Sequence, residues 1–521
     1  MGTVSPATPR RRIVLYYPQQ RSDVARPPYV RYRDELPLAL LSIAGGPIAD
    51  GYEVVLIDGT RYPAEEAHRR VLEACEGALL YATTGILGYQ VTDGLHCSRK
   101  VRARLPRLPS FIGGWFASVA PELQLRTGLY DAVALGQGEV LFRELVRAVD
   151  AGASLESVAG LALLRDGAIV RTAPRGVVSW SELAPTPWHL VDFELYREPQ
   201  LRAAAHAPHA PRYGPVRAKV GISYVSSFGC PLRCTFCCSP FVSNARWKAN
   251  DAEAVVDELA ELKARWGFEG VHFYDANFGV SEARVRGIAE GLLRRDLRLS
   301  SFAYVQAESV VRWAPDTLEL LARAGLVEVL IGAEVGTTES MDRVQKNTRA
   351  AGNVEAAVAL DRVGIHSLLT YILGLPGEDE ASMRATLDEA RRVVLAAPRA
   401  RPEVWPYRPI PGSVEWERAL ALGFTPPATL EDWGRAGDYW SEHAWTGRIS
   451  PAVERERRLF MHYSSLAQGR VRQHIGFWER RARRRLEAGA LRGGRLEARA
   501  FSVFDRLTRP RKSLVTGADR E

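Results

Sequence analysis

The 521-residue chain is poor in sulfur, with 6 cysteines and 4 methionines. Six cysteines are too few for a disulfide scaffold at this length, and four of them crowd into Cys230–Cys238, too close for ordinary structural pairing. Long apolar runs are missing as well: none approaches the roughly 20 residues that span a bilayer. Met1–Arg12 carries basic residues without a following apolar stretch, so no export signal is read and a cytoplasmic location is expected. Excess positive charge is absent from most of the chain. From Pro451 to Glu521 there are 18 Arg and Lys against 8 Asp and Glu, a net of +10, so with +8 overall the first 450 residues sum to −2. The basic balance belongs to the tail, which argues against a nucleic-acid partner for the whole protein.

What remains is ordinary globular composition, 46% hydrophobic and 25% charged, with a length that suggests two to four domains. Residues 1–150 alternate apolar runs with helical patterns. Ile13–Tyr17, Val54–Asp58, Ala78–Ala82, Ser110–Gly113 and Ala132–Gly136 read as buried parallel strands. Leu36–Ala49, Ala64–Ala74, Asp93–Arg104 and Glu139–Val149 read as the helices between them. This is the pattern of a doubly wound Rossmann-like sheet, whose ligands lie beyond the strands' carboxyl ends. Those ends place Asp58, Thr83, Thr84, Gly113, Gly114, Gly136, Gly138 and Glu139 as candidate cofactor-binding residues. Residues 151–215 read as an Asp166-Gly167 hairpin followed by a Pro-, Ala- and His-rich linker. From 216 to 425 the alternation resumes. Val220–Val225, Gly270–Tyr274, Phe302–Val305, Val327–Gly332, Leu368–Gly374 and Glu403–Pro406 form six βα units of a partial (β/α)6 barrel, with its site at the strands' carboxyl ends. Residues 426–521 read as helical and Arg-rich.

The decisive stretch directly follows the first barrel strand: Gly229-Cys230-Pro231-Leu232-Arg233-Cys234-Thr235-Phe236-Cys237-Cys238. Three thiolates spaced C-x3-C-x2-C can each hold one iron of a [4Fe–4S] cubane, whereas binding by protein alone normally takes four. The open iron can chelate the amino and carboxylate groups of a methionine moiety. A structural zinc site wants four ligands, usually as two separated pairs, and no second pair exists. Cys238 reads as a packed thiol.

The cysteine spacing, Phe236 before the last ligand and the βα repeats resemble the radical SAM superfamily over about Lys219–Gly412. The resemblance implies a 5′-deoxyadenosyl radical cut from S-adenosylmethionine (SAM). It further implies Cys230, Cys234 and Cys237 as ligands, with Asp275 and Asn277 in place of a Gly-Gly-Glu element as acceptors for the methionine amine. By the same likeness Gln306, then Glu334 and Gly336 after the fourth strand, and Gly374 in a Gly-Leu-Pro-Gly-Glu turn beside adenine, would contact SAM. Residues 12–150 resemble the cobalamin-binding domain of a large subclass, which includes C-methyltransferases and the anaerobic magnesium-protoporphyrin ester cyclase. The loop Tyr16-Tyr17-Pro18-Gln19-Gln20-Arg21 lacks the Asp-x-His-x-x-Gly motif, so cobalamin is expected base-off with no histidine below cobalt.

The activity implied is transfer of a methyl from SAM, by way of methylcobalamin, to a carbon activated by hydrogen abstraction. An oxidative cyclisation or rearrangement is the alternative enzyme, and a non-catalytic Fe–S or cobalamin sensor the alternative of another class. A small biosynthetic intermediate is the expected substrate, and an external one-electron donor such as flavodoxin or ferredoxin the expected partner. Trp405, Tyr407 and Arg408, on the last barrel strand and just past it, are substrate-pocket candidates. Arg480–Arg485 reads first as a solvated helix face and second as a contact to anionic lipid.

Overall fold

The computed structural model describes residues 11–20, 35–206, 218–346, 349–436, 444–468 and 476–489. Arg21, residues 207–215 of the expected linker and the tail beyond Gly489 lie outside them.

The first sheet contains β1 (Arg12–Tyr17), β2 (Glu53–Asp58), β3 (Leu80–Thr84), β4 (Ser110–Gly113), β5 (Ala132–Ala134), β6 (Leu161–Arg165) and β7 (Ala168–Arg171). Its order is β2-β1-β3-β4-β5-β6-β7, parallel through β5 and antiparallel beyond. The order reverses between β1 and β3, so the crevice beyond Tyr17 and Thr84 is where a doubly wound sheet takes its ligand. The hairpin thus extends this sheet. Its turn is made by Asp166 (φ 50°) and Gly167 (φ 79°), and positive φ at both central residues is what matches a tight turn to the strands' twist.

A two-stranded ribbon follows, β9 (Ser227–Gly229) against β10 (Trp247–Ala249), inserted after β8 (Gly221–Tyr224). The second sheet is β8, β11 (Gly270–Phe273), β12 (Ser300–Val305), β13 (Leu326–Glu334), β14 (His366–Leu373) and β15 (Ala400–Pro406), neighbours in chain order and all parallel. Helices such as Ala252–Trp266, capped by Asp251, cover its outer face with Val255, Leu259, Leu262 and Trp266. This is the expected six-unit partial barrel.

The segment before the barrel is more ordered than its composition suggests. Short 3-10 turns and the helix Glu194–His206 bring Val191, Phe193 and Tyr196 into the barrel core, where Phe193 stacks on Trp266 at 4.7 Å. A few aromatic anchors outweigh the Pro- and Ala-rich background, because each ring buries a large apolar area. At the other end, helix Leu430–Ala436 returns to the first sheet, packing Trp433 on Phe116, while helices Pro451–Ala467 and Gly476–Glu487 pack on the barrel. Ala482 and Leu486 are buried, and Arg480, Arg481, Arg483 and Arg484 face outward.

One buried acid sits in the barrel's helical layer. Glu389 has no exposure and, among the described residues, no hydrogen-bond partner within normal geometry; burial raises its carboxyl to about 7, with the neighbouring Tyr371 and Asn353 side chains opposing the rise. An acid raised in the folded state favours the native protein below its unfolded value and loses that contribution as pH rises through the folded value. At 1.36 kcal/mol per unit the loss between about pH 4.5 and 7 is at most about 3.4 kcal/mol. Glu389→Gln should therefore raise the Tm at pH 8 and leave it nearly unchanged at pH 5; equal effects at both pH values would show the acid is not buried uncharged.

Candidate functional site

The cysteine loop is anchored at both ends before any cofactor is considered. Gly229 ends β9 with φ 77°, and a Cβ there would stand 2.2 Å from the Arg246 carbonyl oxygen, so only glycine fits the turn into Cys230. At the loop's entry, fully buried Asp275 accepts from Ser226 N and Ser226 Oγ, both at 2.7 Å, and from Ser227 N. At its far side Thr235 N donates to Val344 O (2.9 Å) and Thr235 Oγ1 to Glu415 Oε1 (2.8 Å). Cys237 N donates to Cys234 O at 3.1 Å, closing the turn that carries Cys234 and Cys237.

The thiols differ electrostatically. Burial raises Cys230, beside the Asn277 amide, and pushes Cys234 up to about 12. Cys237 is lowered, because Cys238 donates a hydrogen bond to its sulfur; the same bond, with burial, raises Cys238. Ser239 N adds a second donor to Cys237 Sγ at 3.4 Å. Cys238 Sγ in turn accepts from the Trp115 indole N–H of the first domain.

Behind the loop lies a buried ion pair. Lys346 Nζ is 3.1 Å from Glu334 Oε1, with side-chain exposures of 4% and 10%. Burial opposes the ammonium's charge, yet Glu334 and Cys234 hold it above the ordinary lysine value. Glu334 is reached through an irregularity in β13, where the register against β14 shifts between Gly332 and Glu334, and Glu334 itself has φ 65°. A non-glycine residue held there is strain of the kind found at ligand sites.

The other expected residues are placed as follows. Asn277 caps the turn after β11 by accepting from Gly279 N at 3.2 Å, while Asp275 is engaged beneath the loop with Ser226 and Ser227. Gln306, just past β12, buries Oε1 with no hydrogen-bond partner among the described residues. Gly336 is demanded by packing, since a Cβ there would lie 2.4 Å from Thr386 Cα. Gly374 N donates to Glu378 Oε2 at 2.8 Å, which shapes the Gly-Leu-Pro-Gly-Glu turn. Phe236 packs with Val335, Met341, Val344, Leu375 and Tyr407. The Tyr407 hydroxyl is buried and raised by that burial, and the Arg408 guanidinium lies 5.4 Å from the Trp445 ring.

In the first domain Asp58 accepts from Thr60 N (2.8 Å), Thr60 Oγ1 (2.6 Å) and the Tyr196 hydroxyl, which ties the strand end to the segment before the barrel. Thr83 Oγ1 donates to Tyr16 O at 2.9 Å, and Thr84 Oγ1 lies 3.5 Å from Gly113 O. Gly114 (φ 90°) precedes Trp115, Gly138 packs against Ile43, and Gly136 approaches Val242 of the barrel domain. Glu139 is raised by burial and leaves Oε2 without a hydrogen-bond partner among the described residues. The Tyr16–Gln20 loop is held by Asp93, which accepts from Tyr16 Oη (2.5 Å) and Gln19 N (2.8 Å) and contacts His68 Nε2 at 2.9 Å.

Among the described residues, no three His, Cys, Asp or Glu converge as ligands of a single metal ion do. Thiolates on separate irons of a cubane need not converge in that way. The donor set fits such a cluster: three thiols in one anchored loop with a buried cation close to Cys234. Sequence reasoning did not reach Lys346 or Asp93. Nothing local marks a lysine 12 residues past Glu334, or an aspartate inside a helix, as buried.

Residues 224–390 match the radical SAM superfamily. A protein of Pyrococcus horikoshii described as an uncharacterized methyltransferase is 25% identical over 312 residues, 60% of this chain and 62% of that one. An anaerobic magnesium-protoporphyrin IX monomethyl ester cyclase of Synechocystis sp. is 27% identical over 345 residues, 64% of each chain. The chain thus spans a little under two thirds of these relatives. Among solved structures, the radical S-adenosylmethionine methyltransferase TsrM from Kitasatospora setae, with cobalamin and a [4Fe–4S] cluster bound, superposes with TM-score 0.63. It is 18% identical, over 95% of this chain and 100% of that one.

Proposed function

We propose, from the premise that this chain belongs to the radical SAM superfamily and has the two-module fold of its cobalamin-dependent enzymes, that it transfers a methyl group from SAM to an unactivated carbon of a small molecule. The cofactors of this reading are a [4Fe–4S] cluster, SAM and cobalamin. The cluster supplies the electron that cleaves SAM to a radical able to take hydrogen from carbon, and cobalamin supplies a carrier for methyl.

One observation carries the reading. The carboxyl edge of the first sheet meets the cysteine loop directly, through Trp115 on Cys238 and Gly136 against Val242. On this reading two chemistries that each solve half of a methylation would face one another across that contact.

The chain's own residues then divide as follows. Cys230, Cys234 and Cys237 hold the cluster. Asn277, beside Cys230, and Gln306, with its unpartnered carbonyl, accept from SAM's amine and hydroxyls. Glu334, fixed by Lys346, accepts from the ribose, and the Gly374 turn borders adenine. Thr83, Thr84, Gly113, Gly114, Gly136, Gly138 and Glu139 form the corrin-facing edge, and Asp58 braces it. Tyr407 and Arg408 border the substrate, and a flavodoxin- or ferredoxin-like donor supplies electrons.

Similarity to the Synechocystis cyclase favours a second reading, oxidative cyclisation. SAM labelled in its methyl group separates the two. Methylation places label in the product, with S-adenosylhomocysteine and 5′-deoxyadenosine formed in equal amounts. Unlabelled product with 5′-deoxyadenosine alone would assign the chain to cyclisation or rearrangement.

A further inference from the structure

The segment Ser226–Asn250, which contains the cysteine loop, carries Arg233, Arg246 and Lys248 and no Asp or Glu. Arg233 and Arg246 are exposed, Lys248 is half-buried, and none of the three forms an ion pair among the described residues. Barrel arginines elsewhere, such as Arg286, Arg294 and Arg295, are neutralised by neighbouring carboxylates. Two large apolar side chains are exposed beside these cations. Phe241, in the turn Ser239–Ser243 after the loop, and Val414, at the start of helix Val414–Ala421, are each 52% exposed. Both border the loop: a Cβ at Gly412 would stand 3.4 Å from Phe241 Cδ1, and Glu415 N donates to Thr235 O at 3.0 Å. That helix adds one exposed acid, Glu417, while Arg418 pairs with Glu415, so three cations less one acid leave the surface at +2. An apolar centre rimmed by charge of one sign is the make-up of a docking surface. It also lies next to the proposed ligands. Pro231 and Arg233 are exposed between Cys230 and Cys234, and consecutive Cα atoms are about 3.8 Å apart, so a docked partner comes within a residue or two of the cysteines.

We propose that Phe241 and Val414, rimmed by Arg233, Arg246 and Lys248, form the docking surface for a small acidic one-electron carrier protein that reduces the cluster. The proposal rests on the reading of Cys230, Cys234 and Cys237 as cluster ligands. The rim cations steer an acidic partner to the loop, and the apolar centre holds it there. One electron leaves the carrier and enters the cluster. With a flavodoxin, the anionic flavin hydroquinone becomes the neutral semiquinone, the oxidised cluster becomes the reduced one, and no proton moves. The arginines of helix Gly476–Glu487 make a second basic surface, but that helix packs on helices Pro451–Ala467 and Glu380–Ala396, which carry none of the cysteine loop.

The test is stopped-flow reduction of anaerobically reconstituted full-length protein by two reductants, with iron content measured alongside. One is the hydroquinone of an acidic flavodoxin; the other is the methyl viologen radical cation, which is small and needs no docking surface. Arg233→Glu combined with Arg246→Glu is expected to slow reduction by flavodoxin about tenfold or more at low salt, and to flatten its salt dependence. Phe241→Ser is expected to weaken binding of oxidised flavodoxin about tenfold by calorimetry. Both variants should keep their iron and the wild-type rate with methyl viologen. Arg480→Glu combined with Arg484→Glu, on the other basic surface, should leave reduction by flavodoxin unchanged. Flavodoxin binding and reduction unchanged in the loop variants would overturn the proposal. So would equal slowing in the helix variant, since overall charge alone would then explain the effect. Equal slowing with methyl viologen would also overturn it, because the cluster rather than docking would have changed. Retained iron after removal of all three proposed ligand cysteines would fail the parent reading, whereas lost iron there with unchanged flavodoxin kinetics in the loop variants would fail this inference alone.

Discussion

Alanine at Cys230, Cys234 and Cys237 together is expected to take anaerobically reconstituted protein from about four irons per cluster to none, and to abolish 5′-deoxyadenosine formation. The size of the effect follows from the loop's construction. The anchors that shape it, Asp275 on Ser226 and Ser227, and Thr235 on Val344 and Glu415, do not involve the sulfurs of Cys230, Cys234 or Cys237. The apo loop should keep its path when the thiols are removed, so the fold survives and only metal binding is lost. Circular dichroism and the elution volume of the triple variant should match those of wild-type apoprotein. A full cluster and SAM cleavage in that variant would refute the central assignment.

The second large effect concerns stability. Lys346→Met removes the cation from a pair in which both members are buried, leaving Glu334 either charged without a partner or forced to take up a proton. Breaking one side of a buried pair costs about 3–5 kcal/mol. For a domain of 150–250 residues, at about 2–4 °C per kcal/mol, this is a fall of roughly 6 to 20 °C in the barrel's transition. Adding Glu334→Gln should recover much of that loss, because the uncompensated charge disappears. SAM affinity should not recover with it, since the proposed ribose acceptor is gone. Calorimetry and SAM titration on the single and double variants check both halves. A single variant as stable as the double would mean the pair is solvated, and SAM binding by the double at wild-type affinity would remove Glu334 from the site.

The strands of both sheets were legible in the sequence because buried parallel strands are short, nearly uninterrupted apolar runs: Ile13–Tyr17 and Leu368–Gly374 need no tertiary context to be recognised. The loop at Cys230–Cys238 was legible for a different reason, since few chemistries want three thiols at that spacing. Ribbon β9–β10 was not, because three-residue strands carry too little periodicity to register. Nor was the order within 185–206, where Phe193 and Tyr196 matter through what they touch. The Glu334–Lys346 pair needs a bulge in β13 and the turn after helix Thr338–Arg343 to bring the charges together. A helix reading that began at Asp93 started one turn late; the helix begins at Tyr89, after Gly88 at φ 98°. That turn leaves Asp93 mid-helix, facing the loop it holds.

Trp433 reaches back from the last part of the chain to cover Phe116, and with Leu430 it closes the apolar face formed by Val91, Leu95 and Leu125. During synthesis that face emerges roughly 300 residues before its cover, which at 5–20 residues per second is about 15 to 60 s. The first domain must therefore spend its early life with a sticky flank open to other nascent chains. That flank is sealed only when helix Leu430–Ala436 has emerged and folded back, so the arrival of this helix, rather than completion of either sheet, ends the first domain's exposure to aggregation.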